Sequence, residues 1–91
     1  MVIWSEPAKS DLKQIFDYIS EDSKYYAHEV IDKLVEATEI LNNFPRLGRI
    51  VPEKNDESIR EIIKYSYRII YQITESIEIL TIVHSKQEYN P

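Results

Sequence analysis

Apolar residues at Ala8, Leu12, Ile15, Phe16 and Ile19 follow the three- and four-residue spacing of one helix face, while Lys9, Asp11, Lys13, Gln14 and Asp17 take the other. Ser5 stands before this stretch as an N-cap, and Pro7 falls in the first turn, where a missing N–H costs nothing. The helix should end near "SEDS". A second helix is expected from Asp22 or Ser23 to about Asn43, with Ala27, Val30, Ile31, Leu34, Thr38 and Leu41 as its apolar stripe. The link between the two is so short that they should pair as an antiparallel hairpin.

From Ile59 the pattern turns strand-like. "SIREIIKY", "SYRIIYQIT" and "SIEILTIVHS" are rich in isoleucine, valine and tyrosine, which suit a pleated surface, and "TES" is a short hairpin connection. "VIW" at residues 2 to 4 reads as an opening strand. The expected fold is therefore α+β, in the order β-α-α-β-β-β: an N-terminal strand, then a helical hairpin packed on one face of a small antiparallel sheet. The other face is left partly exposed, and function is to be sought there.

The stretch "NNFPRLGRIVPE", residues 42 to 53, holds the only glycine and two of the four prolines. Residues 44 to 58 must stop a helix and turn the chain back toward the sheet. Proline forbids continuation, and Gly48 is expected to supply a positive φ. Arg46 and Arg49 on the same turn do not follow from turning alone.

Ninety-one residues make one domain, 1–91, large enough for a core of its own. With no cysteine there is no disulfide framework and no thiolate chemistry, which fits a reducing cytoplasm. No signal-like start and no long apolar run is present, so a soluble cytoplasmic protein without membrane contact is expected. The net charge of -5 argues against a general nucleic-acid coat. The charge is uneven: 4 basic and 9 acidic residues in 1 to 45, 6 and 4 in 46 to 68, 1 and 3 in 69 to 91. The positive excess lies in the middle segment.

Arg68 sits in "SYRIIYQI" among isoleucines. It either pairs with Glu61 or Glu78 across the sheet or points at an external anion, since an unpaired buried cation is costly. Arg60 and Lys64 alternate with Ile62 and face one way. If "TES" sets the register, Arg68 lies opposite Ile82 or Val83, with His84 one or two positions away and Lys86 just beyond. Tyr65, Tyr67 and Tyr71 most simply cover sheet surface, Tyr25 and Tyr26 staple the helices, and Tyr89 either dangles or folds over the open face. Phosphate-loop, dinucleotide, nucleophile-elbow and zinc-protease motifs are missing, and His28 with His84 does not make a metal site. No cofactor is expected.

The blocks "WSEPAKSDLKQIFDYI", "FPRLGR", "IREI" and "YSYRIIYQI…IEILTIVHSKQ" resemble, in order and over nearly the whole chain, the RelE/ParE superfamily of type II toxin–antitoxin toxins. The resemblance implies a helical hairpin on a small antiparallel sheet. It also implies a cognate antitoxin as partner, laid over the toxin by helix-in-groove or strand-addition contacts. It leaves two targets. RelE-like members cut messenger RNA on the ribosome without a metal; that reading gives Arg68 as the strand arginine, with Arg60, His84 and Lys86 around it and Tyr89 more loosely. ParE-like members poison DNA gyrase, which would make Arg46, Arg49, Arg60 and Arg68 a target-binding surface. Ile62 in place of a nuclease lysine, the acidic charge, the P-x-x-G-R turn and the "IVHSKQ" ending favour the ParE branch. A non-toxic binding module on the same fold is the third alternative.

Overall fold

Ser5 ties the start of the first helix to a residue 75 positions later. Its hydroxyl oxygen accepts a hydrogen bond from the Ala8 N–H at 3.2 Å, capping the first helix, and donates to the Leu80 carbonyl at 3.0 Å. In the computed structural model, which describes residues 1–90, the elements are β1 (Val2–Trp4), α1 (Glu6–Ser20), α2 (Lys24–Glu39), a 3-10 turn (Ile40–Asn42), β2 (Arg49–Ile50), β3 (Ile59–Lys64), β4 (Tyr67–Ile73) and β5 (Ile77–His84). Both helices and all three expected late strands are present at or near their expected bounds. The second helix tightens into the 3-10 turn over its last residues, and the two-residue β2 lies inside the segment read as a turn.

The sheet order is β1-β5-β4-β3-β2. It is mixed, which corrects the all-antiparallel expectation: β1 runs parallel to β5, with Val2 beside Ile77 and Trp4 beside Ile79. The orientation has a physical basis. Leaving Trp4 in the same direction as β5, the chain lays α1 along the rest of that edge, where Asp11 accepts from the Ile82 N–H at 3.1 Å and from the Thr81 hydroxyl. The outer edge of β5 is thus satisfied first by backbone and then by a helix side chain. Opposite Ile70 and Tyr71 the register of β5 shifts by one residue, and the Leu80 carbonyl freed there is the one that Ser5 takes.

One face of the sheet packs on the helices. Ile69, Tyr71, Ile77, Ile79 and Ile82 meet Ala8, Val30, Leu34 and Leu41, with Trp4, Leu12, Ile15, Ile19 and Ile31 around them. Each large apolar side chain fully buried here contributes about 1.5–3 kcal/mol. Tyr71 is in this core, where a sheet-covering role had been expected. Burial is tolerated because its hydroxyl donates to the Pro45 carbonyl at 2.7 Å and accepts from the Gly48 N–H at 2.9 Å. Tyr25 and Tyr26 remain exposed and do not staple the hairpin.

Gly48 corrects another expectation, because its φ is not positive. It is glycine for lack of room: a Cβ would lie 2.7 Å from the Tyr71 hydroxyl oxygen and closer still to the Glu61 carbonyl oxygen. The left-handed positions are Asn55, at φ 50°, and Tyr65, at φ 55° in the tight connection between β3 and β4.

Candidate functional site

The far face of the sheet is closed over its middle. Strand partners share a face, so Arg68 points the same way as Val83 and Ile63, and Glu61 the same way as Ile70 and Thr81. Glu61 and Arg68 are only 1% and 4% exposed. The loop after β2 and the tail after β5 reach over them. Arg68 donates from Nε to Glu61 Oε1 at 2.7 Å, and its Nη2 lies 2.6 Å from the same oxygen. It also forks onto Glu53, with Nη1 at 2.9 Å from Oε2 and Nη2 at 2.8 Å from Oε1, and Nη1 donates to the Gln87 carbonyl at 2.7 Å. The second Glu61 oxygen takes Arg49 Nε and Nη2, both at 2.6 Å.

The result is an alternating chain, Glu53–Arg68–Glu61–Arg49, with two charges of each sign. Among the described residues no buried side-chain polar atom lacks a partner. The Glu53 carboxyl is held down to about 2, first by its hydrogen bonds from Arg68 and then by the Tyr89 N–H, which donates to Oε2 at 2.9 Å. The Arg68 guanidinium is raised further above its ordinary range, mainly by Glu53. Its donors are committed inside the molecule.

The other candidates are placed apart from it. Arg60 donates from Nη1 to the Gly48 carbonyl and from Nε to the Glu57 carbonyl, both at 2.9 Å, and so clamps the turn. Arg46 makes only an exposed pair with Glu57 at 3.6 Å, a weak contact in water. His84 is the strand partner of Tyr67, ring centroids 6.2 Å apart, which puts it on the helix side of the sheet. There it lines a groove of about 370 Å³ with Asp11, Gln14, Tyr18 and Tyr67. Its Nδ1 accepts from the Lys86 N–H at 3.3 Å, and the Lys86 side chain is exposed. Tyr89 does fold over the far face, its ring 5.6 Å from Lys54 Nζ.

The expected open patch of arginines is therefore corrected. Arg68 is neutralised by two carboxylates, Arg49 shares one of them, Arg60 holds backbone, and period-two alternation sends His84 and Arg60 to the face opposite Arg68. Glu61 is one of the two partners expected for Arg68, and Glu53 is a further one outside that expectation. The available signal was the guanidinium itself, whose five donors exceed what one shared carboxylate can accept.

A second surface lies outside the helical hairpin. Trp4, Leu12, Phe16, Ile31 and Val35 line an open apolar groove of about 570 Å³, rimmed by Lys9, Lys13 and His28. Phe16, counted with the core-facing stripe in the sequence, packs edge-on against His28 here, with centroids 4.8 Å apart. None of the helices among the described residues is long and apolar enough to cross a membrane.

The fold, a helical hairpin on a five-stranded mixed sheet, is matched among known proteins. Residues 2–89 fit the family model of the ParE toxin of type II toxin-antitoxin system, parDE, and the chain belongs to that family. It is 31% identical over 88 residues to "Putative toxin Y4kP" of Sinorhizobium fredii (strain NBRC 101917 / NGR234), covering 94% of this chain and 88% of that protein. It also has the fold of a chain from the chromosomal ParDE TA system from P. aeruginosa, at TM-score 0.77 and 20% identity, covering 93% of this chain and 95% of that one.

Proposed function

We propose that this ParE-type toxin arrests growth by binding and poisoning DNA gyrase, and that a cognate antitoxin neutralises it. One observation carries the choice of mechanism. Cleavage of RNA through its 2′-hydroxyl needs cations free to stabilise a phosphorane and an acid on the same side. Arg68 is instead saturated by Glu53, Glu61 and Gln87, and His84 lies across the sheet from it. A surface that binds a protein partner needs no such free cation. The net charge of -5 supports the same reading, since it opposes approach to ribosomal RNA.

The antitoxin's seat is the apolar groove at Trp4, Leu12, Phe16 and Ile31, whose floor suits the apolar stripe of a helix and whose Lys9 and Lys13 rim suits acidic flanks. Inhibition of negative supercoiling by the purified protein, relieved by the co-expressed antitoxin, is the expected result. Unimpaired supercoiling together with codon-phased messenger cleavage on ribosomes would replace this proposal with the nuclease reading.

A further inference from the structure

Phe44 and Leu47 are large apolar residues that the fold displays instead of burying, at 61% and 59% exposed. The turn that carries them is fixed from beneath. Tyr71, a core residue, holds the Pro45 carbonyl and the Gly48 N–H through one hydroxyl, and Arg60 holds the Gly48 carbonyl. Above these anchors the Phe44 N–H donates to the Ile40 carbonyl at 3.1 Å and the Leu47 N–H to the Phe44 carbonyl at 3.0 Å. A buried tyrosine, a clamping arginine and a glycine with no space for a Cβ thus set one exposed turn rigidly in place. Apolar side chains on a preordered turn lose little entropy when they dock, which is the arrangement that makes binding hot spots.

The surroundings extend the patch and give it a sign. Leu47 lines a shallow groove of about 340 Å³ with Ile40 and the outward-facing Ile63. Arg46 and Arg49 flank the turn with side chains 67% and 64% exposed; Arg49 is committed to Glu61, which leaves Arg46 as the loosely held cation of the rim. Arg46 is held only by its solvated contact with Glu57 and is free to change partners.

We infer that the turn from Phe44 to Arg49 is the element through which the toxin grips its target protein, seating Phe44 and Leu47 in an apolar pocket that offers Arg46 a carboxylate at its edge. This rests on the toxin reading above and names the surface it uses. Contact with the target then depends on the two apolar side chains more than on the arginines of the sheet, and it is separate from the antitoxin groove on the outer side of the helices.

The test is a double variant, Phe44→Ser with Leu47→Ser, beside the conservative Phe44→Leu, each produced as the full chain. Growth arrest on induction without antitoxin, affinity for the purified antitoxin and thermal midpoint are measured for each. The double variant is expected to need about tenfold or more of the protein for the same arrest, with antitoxin affinity within about threefold and an unchanged melt, while Phe44→Leu, which keeps an apolar side chain, loses less than the double variant. Undiminished arrest by the double variant overturns the inference. So does an equal loss of antitoxin binding, or a wild-type dimer that the double variant dissolves, because the patch then belongs to the antitoxin or to a second copy. Supercoiling inhibition by the wild type is run in parallel: its absence sinks the gyrase reading alone, since growth arrest judges the turn.

Discussion

Arg68 and His84 stand on adjacent strands, yet their side chains leave the sheet in opposite directions. Arg68 is in register with Val83, and His84 with Tyr67. Substitutions at the two sites should therefore behave differently. Arg68→Ala leaves Glu61 buried with only Arg49 for company and should cost about 3 kcal/mol, the low end of the range of about 3–5 for breaking a buried pair. His84→Ala, at an exposed position, should stay within about 0.5 kcal/mol of wild type. Urea denaturation measures both. A loss of toxicity in Arg68→Ala is then a stability effect until the folded fraction has been measured.

Gly48 and Tyr71 form one contact, and both should resist change. Gly48→Ala forces a methyl against the Tyr71 hydroxyl and the Glu61 carbonyl and should destabilise by about 1–3 kcal/mol. Tyr71→Phe removes the partner of the Gly48 N–H and the Pro45 carbonyl, at a similar cost of about 1–3 kcal/mol. Because the two share a contact, the double variant should lose less than the sum, which a double-mutant cycle by denaturant titration will show.

Glu53 makes the far face sensitive to acid. Its folded value of about 2 lies below the ordinary 4.5, so its stabilisation is complete above pH 4.5 and is lost as the pH falls toward about 2. The bonds from the Tyr89 N–H and from Arg68 to this carboxylate weaken in the same window as its charge is removed. The thermal midpoint should therefore decline between those pH values, with faster amide exchange at Tyr89. Glu53→Gln should start lower at neutral pH and show a shallower decline. An identical pH slope in the variant would remove Glu53 from this role.

The groove outside the hairpin offers a separate test. Phe16→Glu places a charge among Trp4, Leu12 and Ile31 without touching the far face. Antitoxin binding should weaken by about 2 kcal/mol, roughly thirtyfold, as measured by calorimetry. Growth arrest by the free toxin should persist.

The sequence reveals the helical hairpin and the meander clearly, because residues such as Leu34 fall on one helical stripe and the late segments are rich in isoleucine, valine and tyrosine. It says little about neighbours. Three residues, Val2 to Trp4, carry no register information, so the parallel pairing with Ile77 to Ile79 emerges only when α1 is seen to need β5 beneath it. Counting by twos along "YSYRIIYQI" would have separated Arg68 from Tyr67 and Tyr71, and with them from His84. Glu53 could not be anticipated in the same way: it lies in a loop that meets the far face through Arg68 and the Tyr89 N–H, 15 and 36 positions away. The family resemblance locates an arginine on the strand, whereas only the fold determines what that arginine touches.

The pairing of β1 with β5 also bears on how the toxin is made. Residues near the amino end leave the ribosome first, but their partners lie about 75 positions later, and bringing such distant segments together is slow compared with forming a helix. Until β5 has emerged, Ile82 cannot meet Asp11, Arg68 lacks the Gln87 carbonyl, and one whole side of the core is missing. The closed far face and the finished core are thus assembled only after residues 77 to 87 have been made.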